Sequence, residues 1–204
     1  MKILCISDTI MPQMESAANL RRRYSDVELV ISCGDLSAAY LEFIISVLNV
    51  PLFYVRGNHD ESYTQSPPGG EDLHRRIVSY NGLTFVGLEG SMRYNSGKIQ
   101  YGESEMMSMV VKLGPQMLIP RSQKGFGVDV LVTHSPAAGI HDAEDRPHRG
   151  FKALLTFMKW YRPRYMFHGH VHTYDRRSVT ETQYEGTRIM NINPVTVVEV
   201  EPQS

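Results

Sequence analysis

The first sixty residues alternate between two hydrophobic patterns, and this alternation leaves few folds open to the chain. Short apolar runs at residues 2–7, 27–33 and 52–55 are rich in Val, Ile, Leu and Phe, as in strands buried on both faces. The clearer helical segment between them begins at Ser37, a favourable N-cap, and repeats apolar residues at helical spacing up to Leu48. Strand–helix–strand order predicts parallel strands joined by right-handed crossovers, so we expect an α/β fold.

The rest of the chain continues this pattern less regularly. Helices are predicted at residues 104–113, where Gly114-Pro115 should end the helix, and at 151–161, before Pro163. Polar segments at 61–70, 90–102 and 136–149 are predicted loops. Further strands are predicted at residues 83–88, 128–133, 165–167, 188–192 and 196–200. No linker or repeat interrupts the 204 residues, so we expect one domain spanning residues 1–204.

Charge and composition exclude several classes of protein. A formal net charge of −1 argues against binding a nucleic-acid polymer mainly by electrostatics. The longest apolar stretch, residues 41–55, is broken by Glu42, Asn49 and Pro51, so we expect no membrane span. Cys5 and Cys33 both lie in apolar runs and are expected to be buried, reduced thiols. We therefore expect a cytoplasmic protein with a small-molecule substrate.

Polar side chains follow five of the predicted strands at the point where each strand ends. A single Asp or His in such a place usually caps a turn or forms a structural hydrogen bond, but five coincidences at five strand ends are improbable. Carboxylate, amide and imidazole ligands suit divalent ions such as Mn, Fe, Zn, Ni or Mg, among which we favour Mn. The five clusters are Ser7-Asp8, Gly34-Asp35, Gly57-Asn58-His59-Asp60, Thr133-His134 and His168-Gly169-His170-Val171-His172.

This ordered series resembles the motifs of the calcineurin-like metallophosphoesterase superfamily. The tetrapeptides that begin at Gly57 and Gly169 are its most specific elements, and a looser similarity at residues 90–94 and 134–150 resembles small single-domain bacterial members. The resemblance implies a two-sheet sandwich flanked by helices, a four-layer α/β/β/α fold, with metal ions at the strand ends. It also implies metal-dependent hydrolysis of phosphate esters.

The resemblance implies a role for each matching residue. Asp35 would bridge two metal ions, while Asn58, His134 and His170 would complete one metal site. Asp8 and His172 would contribute to the other site. His59 would act as general acid or phosphate contact, oriented by Asp60.

One position departs from the pattern of the superfamily. Its first motif is usually Asp-x-His, whereas this chain has Ile10, which cannot bind a metal, two residues after Asp8. The second metal site should therefore be weaker, unless His141 or His148 compensates. His148 is alternatively a substrate contact. Arg93 and Tyr94, in the predicted loop 90–102, are candidates to contact a phosphate or a nucleobase.

We expect hydrolysis of a small phosphodiester, such as a cyclic nucleotide, by a metal-activated water. The alternatives are a phosphomonoesterase and a catalytically silent metal-binding scaffold with the same fold. Ile10 favours the scaffold, whereas His59 favours the enzyme, because a scaffold has no use for a general acid.

Overall fold

Two β-sheets, each covered by a pair of helices, make up the part of the chain that the computed structural model describes, residues 1–172 and 179–202. The helices are α1 (Ala17–Tyr24), α2 (Ala38–Leu48), α3 (Glu103–Lys124) and α4 (Lys152–Tyr161), with short 3-10 helices at Pro12–Met14 and Glu61–Thr64. The strands are β1 (Lys2–Ile6), β2 (Leu29–Ser32), β3 (Leu52–Tyr54), β4 (Glu71–Asp72), β5 (Ile77–Tyr80), β6 (Leu83–Leu88), β7 (Ser91–Met92), β8 (Gln100–Tyr101), β9 (Val130–Thr133), β10 (Tyr165–His168), β11 (Glu181–Tyr184), β12 (Thr187–Asn191) and β13 (Val195–Glu199).

The strand order confirms the predicted parallel pairing at the start of the chain. The first sheet has the order β13-β1-β2-β3-β4, in which β1, β2 and β3 are parallel and β13 is antiparallel to β1. The second sheet has the order β11-β12-β10-β9-β6-β5, with a parallel centre and an antiparallel strand at each edge. Strands β7 and β8 form a small separate ribbon. The carboxyl ends of β1, β2, β3, β6, β9 and β10 therefore carry the loops in which ligands are expected.

Three buried cores separate the four layers. The core between the sheets contains Ile3 and Cys5 of β1 together with Phe167 of β10. The intervening residues of β1, Leu4 and Ile6, face the opposite way and pack with α1 and α2. A third core joins the second sheet to α3 and α4. Because alternate residues of a strand lie on opposite faces and both faces are covered, the central strands are mostly apolar, and the predicted α/β/β/α layering is confirmed.

Side-chain capping explains where the clearest predicted helix begins. The Ser37 hydroxyl accepts a hydrogen bond from the Tyr40 amide at 3.3 Å, and α2 starts at the next residue. The helix ends at Asn49, which adopts a left-handed conformation.

The predicted end of the third helix is wrong. Helix α3 continues through Pro115 and Pro120 to Lys124. Proline costs roughly 3 kcal/mol inside a helix, but Leu113 and Met117 are buried on either side of the exposed Pro115, in the core shared with α4. Tertiary packing of this face outweighs the local proline signal.

No helix in residues 1–172 and 179–202 is long and apolar enough to span a lipid bilayer.

Candidate metal centre

Four of the predicted ligands converge where the carboxyl ends of the two sheets meet. Asp8 and Asp35 follow β1 and β2 of the first sheet, while His134 and His170 follow β9 and β10 of the second. One ligand atom from each of the four side chains lies within 4.8 Å of all the others. Both histidines are buried and both aspartates are partly buried. The chain thus has a possible site for a divalent metal ion.

The backbone at three of these residues adopts an uncommon conformation. Asp8, Asp35 and His170 have φ values of 63°, 57° and 71°, in the left-handed region that residues other than glycine seldom occupy. Such conformations cost about 1–3 kcal/mol each and persist where the surrounding structure imposes them, as it often does at functional sites. Three of the four residues of this ligand cluster (Asp8, Asp35, His134 and His170) therefore have a strained backbone.

Asp35 and His134 form a coupled ion pair at the centre of the cluster. Nε2 of His134 lies 3.3 Å from Oδ2 of Asp35. Burial disfavours the charged form of Asp35. The positive charge of His134 and its hydrogen bond to the carboxylate nevertheless lower the pKa of Asp35 to about 2. Burial likewise disfavours the His134 imidazolium, yet the neighbouring Asp35 carboxylate raises its pKa to about 9. A buried cation is thus already stabilised beside Asp35, as a metal ion would be.

Main-chain carbonyls determine which nitrogen of each histidine faces the cluster. Nδ1 of His134 lies 2.8 Å from the Cys33 carbonyl oxygen, and Nε2 of His170 lies 2.8 Å from that of Pro147. Carbonyl oxygens only accept, so these nitrogens carry protons, and the opposite nitrogens could bind a metal ion, which at His134 would take the place of the Nε2 proton. Burial, followed by the charge of His134, lowers the pKa of His170 to about 3, so this imidazole stays neutral.

Asn58 extends the donor set. Its Oδ1 lies 3.1 Å from Nε2 of His134, on the side of the imidazole that faces the cluster. Two carboxylates, two imidazoles and an amide oxygen match the preferences of hard or borderline divalent ions. The residues present therefore fit the metal that the motifs imply.

The two residues predicted to contribute to a second metal site are separated, because Asp8 lies in the group of four. Within the described residues, the group of four does not include His172, which is exposed. The side chain of Ile10 is 43% exposed and lines a surface groove with Tyr40. His141 lies with Nδ1 3.1 Å from Nε2 of His168 and Nε2 2.8 Å from the Thr182 hydroxyl. His141 therefore belongs to a different hydrogen-bonded group.

His59 and Asp60 take up distinct positions beside the cluster. The His59 side chain is exposed, and its backbone N–H donates to Oδ1 of Asp35 at 2.9 Å. The buried Asp60 carboxylate accepts hydrogen bonds from the backbone N–H groups of Asp35 and Gly57, each at 2.8 Å. Burial and then the charge of Asp35 raise the pKa of Asp60 to about 6, although these hydrogen bonds oppose the shift. Asp60 thus positions the loops around His59, and its influence on the imidazole is indirect.

The two candidate substrate contacts differ in their surroundings. The Arg93 guanidinium lies 2.9 Å from the Glu105 carboxylate and donates to the Gln100 carbonyl. His148, by contrast, has its ring 5.0 Å from that of His170, and its Nδ1 lies 2.6 Å from the Asp145 carboxylate. The structure brings His148 to the cluster and engages Arg93 elsewhere.

Two contacts near the site were not predicted from the sequence, although Tyr94 itself was a candidate substrate contact. The Tyr94 hydroxyl accepts a hydrogen bond from Nδ2 of Asn58 at 3.3 Å. The Glu89 carboxylate, 1% exposed, pairs with Arg56 at 2.6 and 2.9 Å and accepts from the Tyr101 hydroxyl at 2.6 Å. The sequence signal that could have pointed to Arg56 is its position directly before Gly57, the first residue of the Gly57-Asn58-His59-Asp60 motif.

Comparison with known proteins is consistent with this geometry. The family model of the calcineurin-like phosphoesterases matches residues 1–174, which include all the cluster residues. No curated protein matches the sequence significantly.

Solved structures resemble the chain at low sequence identity. The crystal structure of TT1561 of Thermus thermophilus has a TM-score of 0.61 at 11% identity, covering 93% of this chain and 88% of that chain. A single mutant of Vps29 from Entamoeba histolytica has a TM-score of 0.48 at 12% identity, covering 99% and 87%. An archaeal phosphodiesterase has a TM-score of 0.46 at 16% identity, covering 98% and 93%. The likeness to TT1561 supports the two-sheet fold and, at this identity, the fold alone.

Proposed function

This chain belongs to the calcineurin-like phosphoesterase family, and on that premise we propose that it hydrolyses small phosphodiesters with the help of divalent metal ions. The family itself suggests metal-dependent hydrolysis of phosphoesters. The observation that carries the proposal is the convergence of Asp8, Asp35, His134 and His170 within 4.8 Å. We take these four residues, with Asn58, as ligands, and His172 as a further ligand of a second, weaker site.

The ligand residues would bind metal ions whose positive charge attracts a phosphate group. One or two divalent ions bound there would supply positive charge to the phosphoryl oxygens and lower the pKa of a water molecule. Asp35 is the central carboxylate, because the His59 backbone N–H and the His134 imidazole hold both of its oxygens in place. We favour manganese because the donors are oxygen and imidazole nitrogen without thiolate.

His59 is placed to assist the departing alcohol. Its exposed imidazole borders a cavity of about 460 Å³ that Asn58 also lines. In the proposed reaction, water forms a bond to phosphorus while the bond from phosphorus to the leaving oxygen breaks. His59 donates a proton to that oxygen, the attacking water releases a proton to solvent and His59 is reprotonated from solvent, so the products are a phosphomonoester and an alcohol.

Charge around the site supports a diester over a monoester. Two arginines in the surrounding loops are already paired, Arg56 with Glu89 and Arg93 with Glu105. A dianionic monoester needs more free positive charge than a monoanionic diester does. His148, beside His170, is the candidate to contact the substrate.

We also propose a domain organisation and a cellular compartment for the protein. We take residues 1–204 as one domain, since β12 and β13 lie beyond the matched residues and yet complete the two sheets. We place it in the cytoplasm, where buried free thiols such as Cys5 and Cys33 stay reduced.

The test is hydrolysis of bis(p-nitrophenyl) phosphate by chelator-treated protein, with Mn²⁺, Ni²⁺, Zn²⁺, Mg²⁺ or no metal added. Metal-dependent release of nitrophenolate, absent in Asp35→Asn, is the expected result. Faster turnover of p-nitrophenyl phosphate would instead identify a monoesterase. Folded protein inert towards both esters with every metal would identify the scaffold, which Ile10 and the exposed His172 favour.

A further inference from the structure

A polar cavity adjoins the cluster on the side of His59. It measures about 460 Å³, within the range of small-molecule sites, and it is lined by Asn58, His59 and the loop from Tyr94 to Lys98. Asn58 connects it directly to the metal centre, because Oδ1 of Asn58 lies 3.1 Å from Nε2 of His134. A molecule bound in this cavity would therefore lie next to a phosphate at the cluster.

The loop that borders the cavity is held in shape by its own hydrogen bonds. The Gln100 side chain, 3% exposed, accepts from the backbone N–H groups of Tyr94 and Asn95 and donates to the Asn95 side chain at 2.6 Å. The Asn95 side chain also accepts from the Gly97 N–H at 2.9 Å. The Lys98 N–H donates to the Glu61 carboxylate at 3.1 Å, which ties the loop to the segment that follows His59. The cavity is thus preorganised, which lowers the entropic cost of binding.

Tyr94 presents a hydrogen-bond donor at the boundary between the cavity and the cluster. Its hydroxyl oxygen accepts from the Asn58 side-chain amide at 3.3 Å. Among the described residues, the hydroxyl proton has no acceptor. Arg93, the neighbouring residue, is held by Glu105 and does not line this cavity. Tyr94 is therefore the residue of this loop best placed to donate to a substrate oxygen.

We propose that this cavity is a subsite for one polar alcohol arm of a phosphodiester, and that the Tyr94 hydroxyl donates a hydrogen bond to an oxygen of that arm. The inference rests on the proposed function and specifies its substrate class. The polar residues Asn95, Ser96, Lys98 and Glu61 line the cavity, which suits a group with several hydrogen-bonding atoms and not a hydrocarbon chain. Its volume accommodates a nucleoside or a sugar. The substrates are thus diesters that release a nucleoside- or sugar-sized alcohol.

The experiment compares wild type, Tyr94→Phe and a matched control, Tyr80→Phe, on two diesters with Mn²⁺ present. Tyr80 lies on β5, and its hydroxyl donates to the Glu28 carbonyl at 3.4 Å. The Tyr80→Phe substitution therefore removes a tyrosine hydroxyl that lies outside the site. The diesters are bis(p-nitrophenyl) phosphate, whose leaving group needs little assistance, and dithymidine monophosphate, which releases thymidine. In Tyr94→Phe, kcat/KM should fall about 10-fold for the dinucleotide and less than about 3-fold for the nitrophenyl diester. Tyr80→Phe should match wild type on both.

Binding of Mn²⁺, followed by calorimetry, separates the role of Tyr94 towards substrate from its contact with Asn58. Equal Mn²⁺ affinity in Tyr94→Phe and wild type is expected. Weaker Mn²⁺ binding with equal losses on both diesters would overturn the inference, because Tyr94 would then act only by orienting Asn58. Wild type that cleaves the nitrophenyl diester but not the dinucleotide, or an undiminished Tyr94→Phe, would also overturn it. Wild type inert on both diesters with every metal would instead overturn the proposed function, and the inference with it.

Discussion

Gly57→Ala should disable the metal centre while leaving the fold in place. A Cβ at residue 57 would lie 2.0 Å from Oδ1 and 2.5 Å from Cγ of Asp35, where ordinary contacts begin at 3.4 Å. The carboxylate would have to retreat by about 1.4 Å (3.4 minus 2.0), and rotation of its side chain cannot relieve the contact of 2.7 Å with the Asp35 backbone nitrogen. A misplacement of about 1 Å costs about 100-fold in rate, and overpacking costs about 1–3 kcal/mol of stability. We expect these two losses in turnover and in urea denaturation, with weaker Mn²⁺ binding by calorimetry.

Gly69→Ala is the matched control. An added Cβ there meets nothing within 4 Å, and the residue does not have a left-handed φ. This variant should keep wild-type turnover, Mn²⁺ affinity and stability. If Gly57→Ala bound Mn²⁺ and turned over diester as wild type does, Asp35 would not need its present position, contrary to this prediction.

Three further predictions concern the general acid His59, the second metal site near Ile10, and the ion pair between Glu89 and Arg56. His59→Ala should lower turnover by about 100-fold with unchanged metal content by elemental analysis, because general acids contribute roughly that factor; lost metal would show that His59 is a ligand. Ile10→His should raise metal content at limiting Mn²⁺, and no gain would show that another residue already fills that position. Glu89→Ala should lower the free energy of unfolding by about 3 kcal/mol in urea denaturation, because it leaves the guanidinium of Arg56, whose side chain is only 25% exposed, without its carboxylate partner; a loss below about 1 kcal/mol would contradict this role.

Local sequence signals predict the central part of the fold well. Strands β1, β2 and β3 are apolar except for Lys2 and Ser32 at their ends, because both of their faces are buried, and Ser37 caps the start of α2. Strands β5 and β11 were not predicted. Each is an edge strand with partly exposed residues, so neither produces a continuous apolar run. The extension of α3 beyond Pro115 depends on tertiary packing, which local residue preferences do not contain.

In the candidate site, too, residues at strand ends could be predicted from local sequence, whereas contacts between distant residues could not. Asp8, Asp35, His134 and His170 could be proposed from sequence because each lies within three residues of the end of a mostly apolar strand, and parallel strands bring such residues to one edge. The partners of Asn58 could not be proposed in this way. Tyr94 lies 36 residues further along the chain, and only the folded path of the loop after β7 brings its hydroxyl to the amide. The contact between Arg56 and Glu89, 33 residues apart, is of the same kind.

The metal centre itself is tested most directly by anomalous diffraction from crystals of the protein grown with Mn²⁺. We expect a strong anomalous peak coordinated by Asp8, Asp35, His134 and His170, with Nε2 of His134 and Nδ1 of His170 as the ligand atoms. A second, weaker peak should lie on the side of His172. A fully Mn²⁺-equilibrated crystal with no peak among the four side chains would contradict the central claim that this cluster is a metal site.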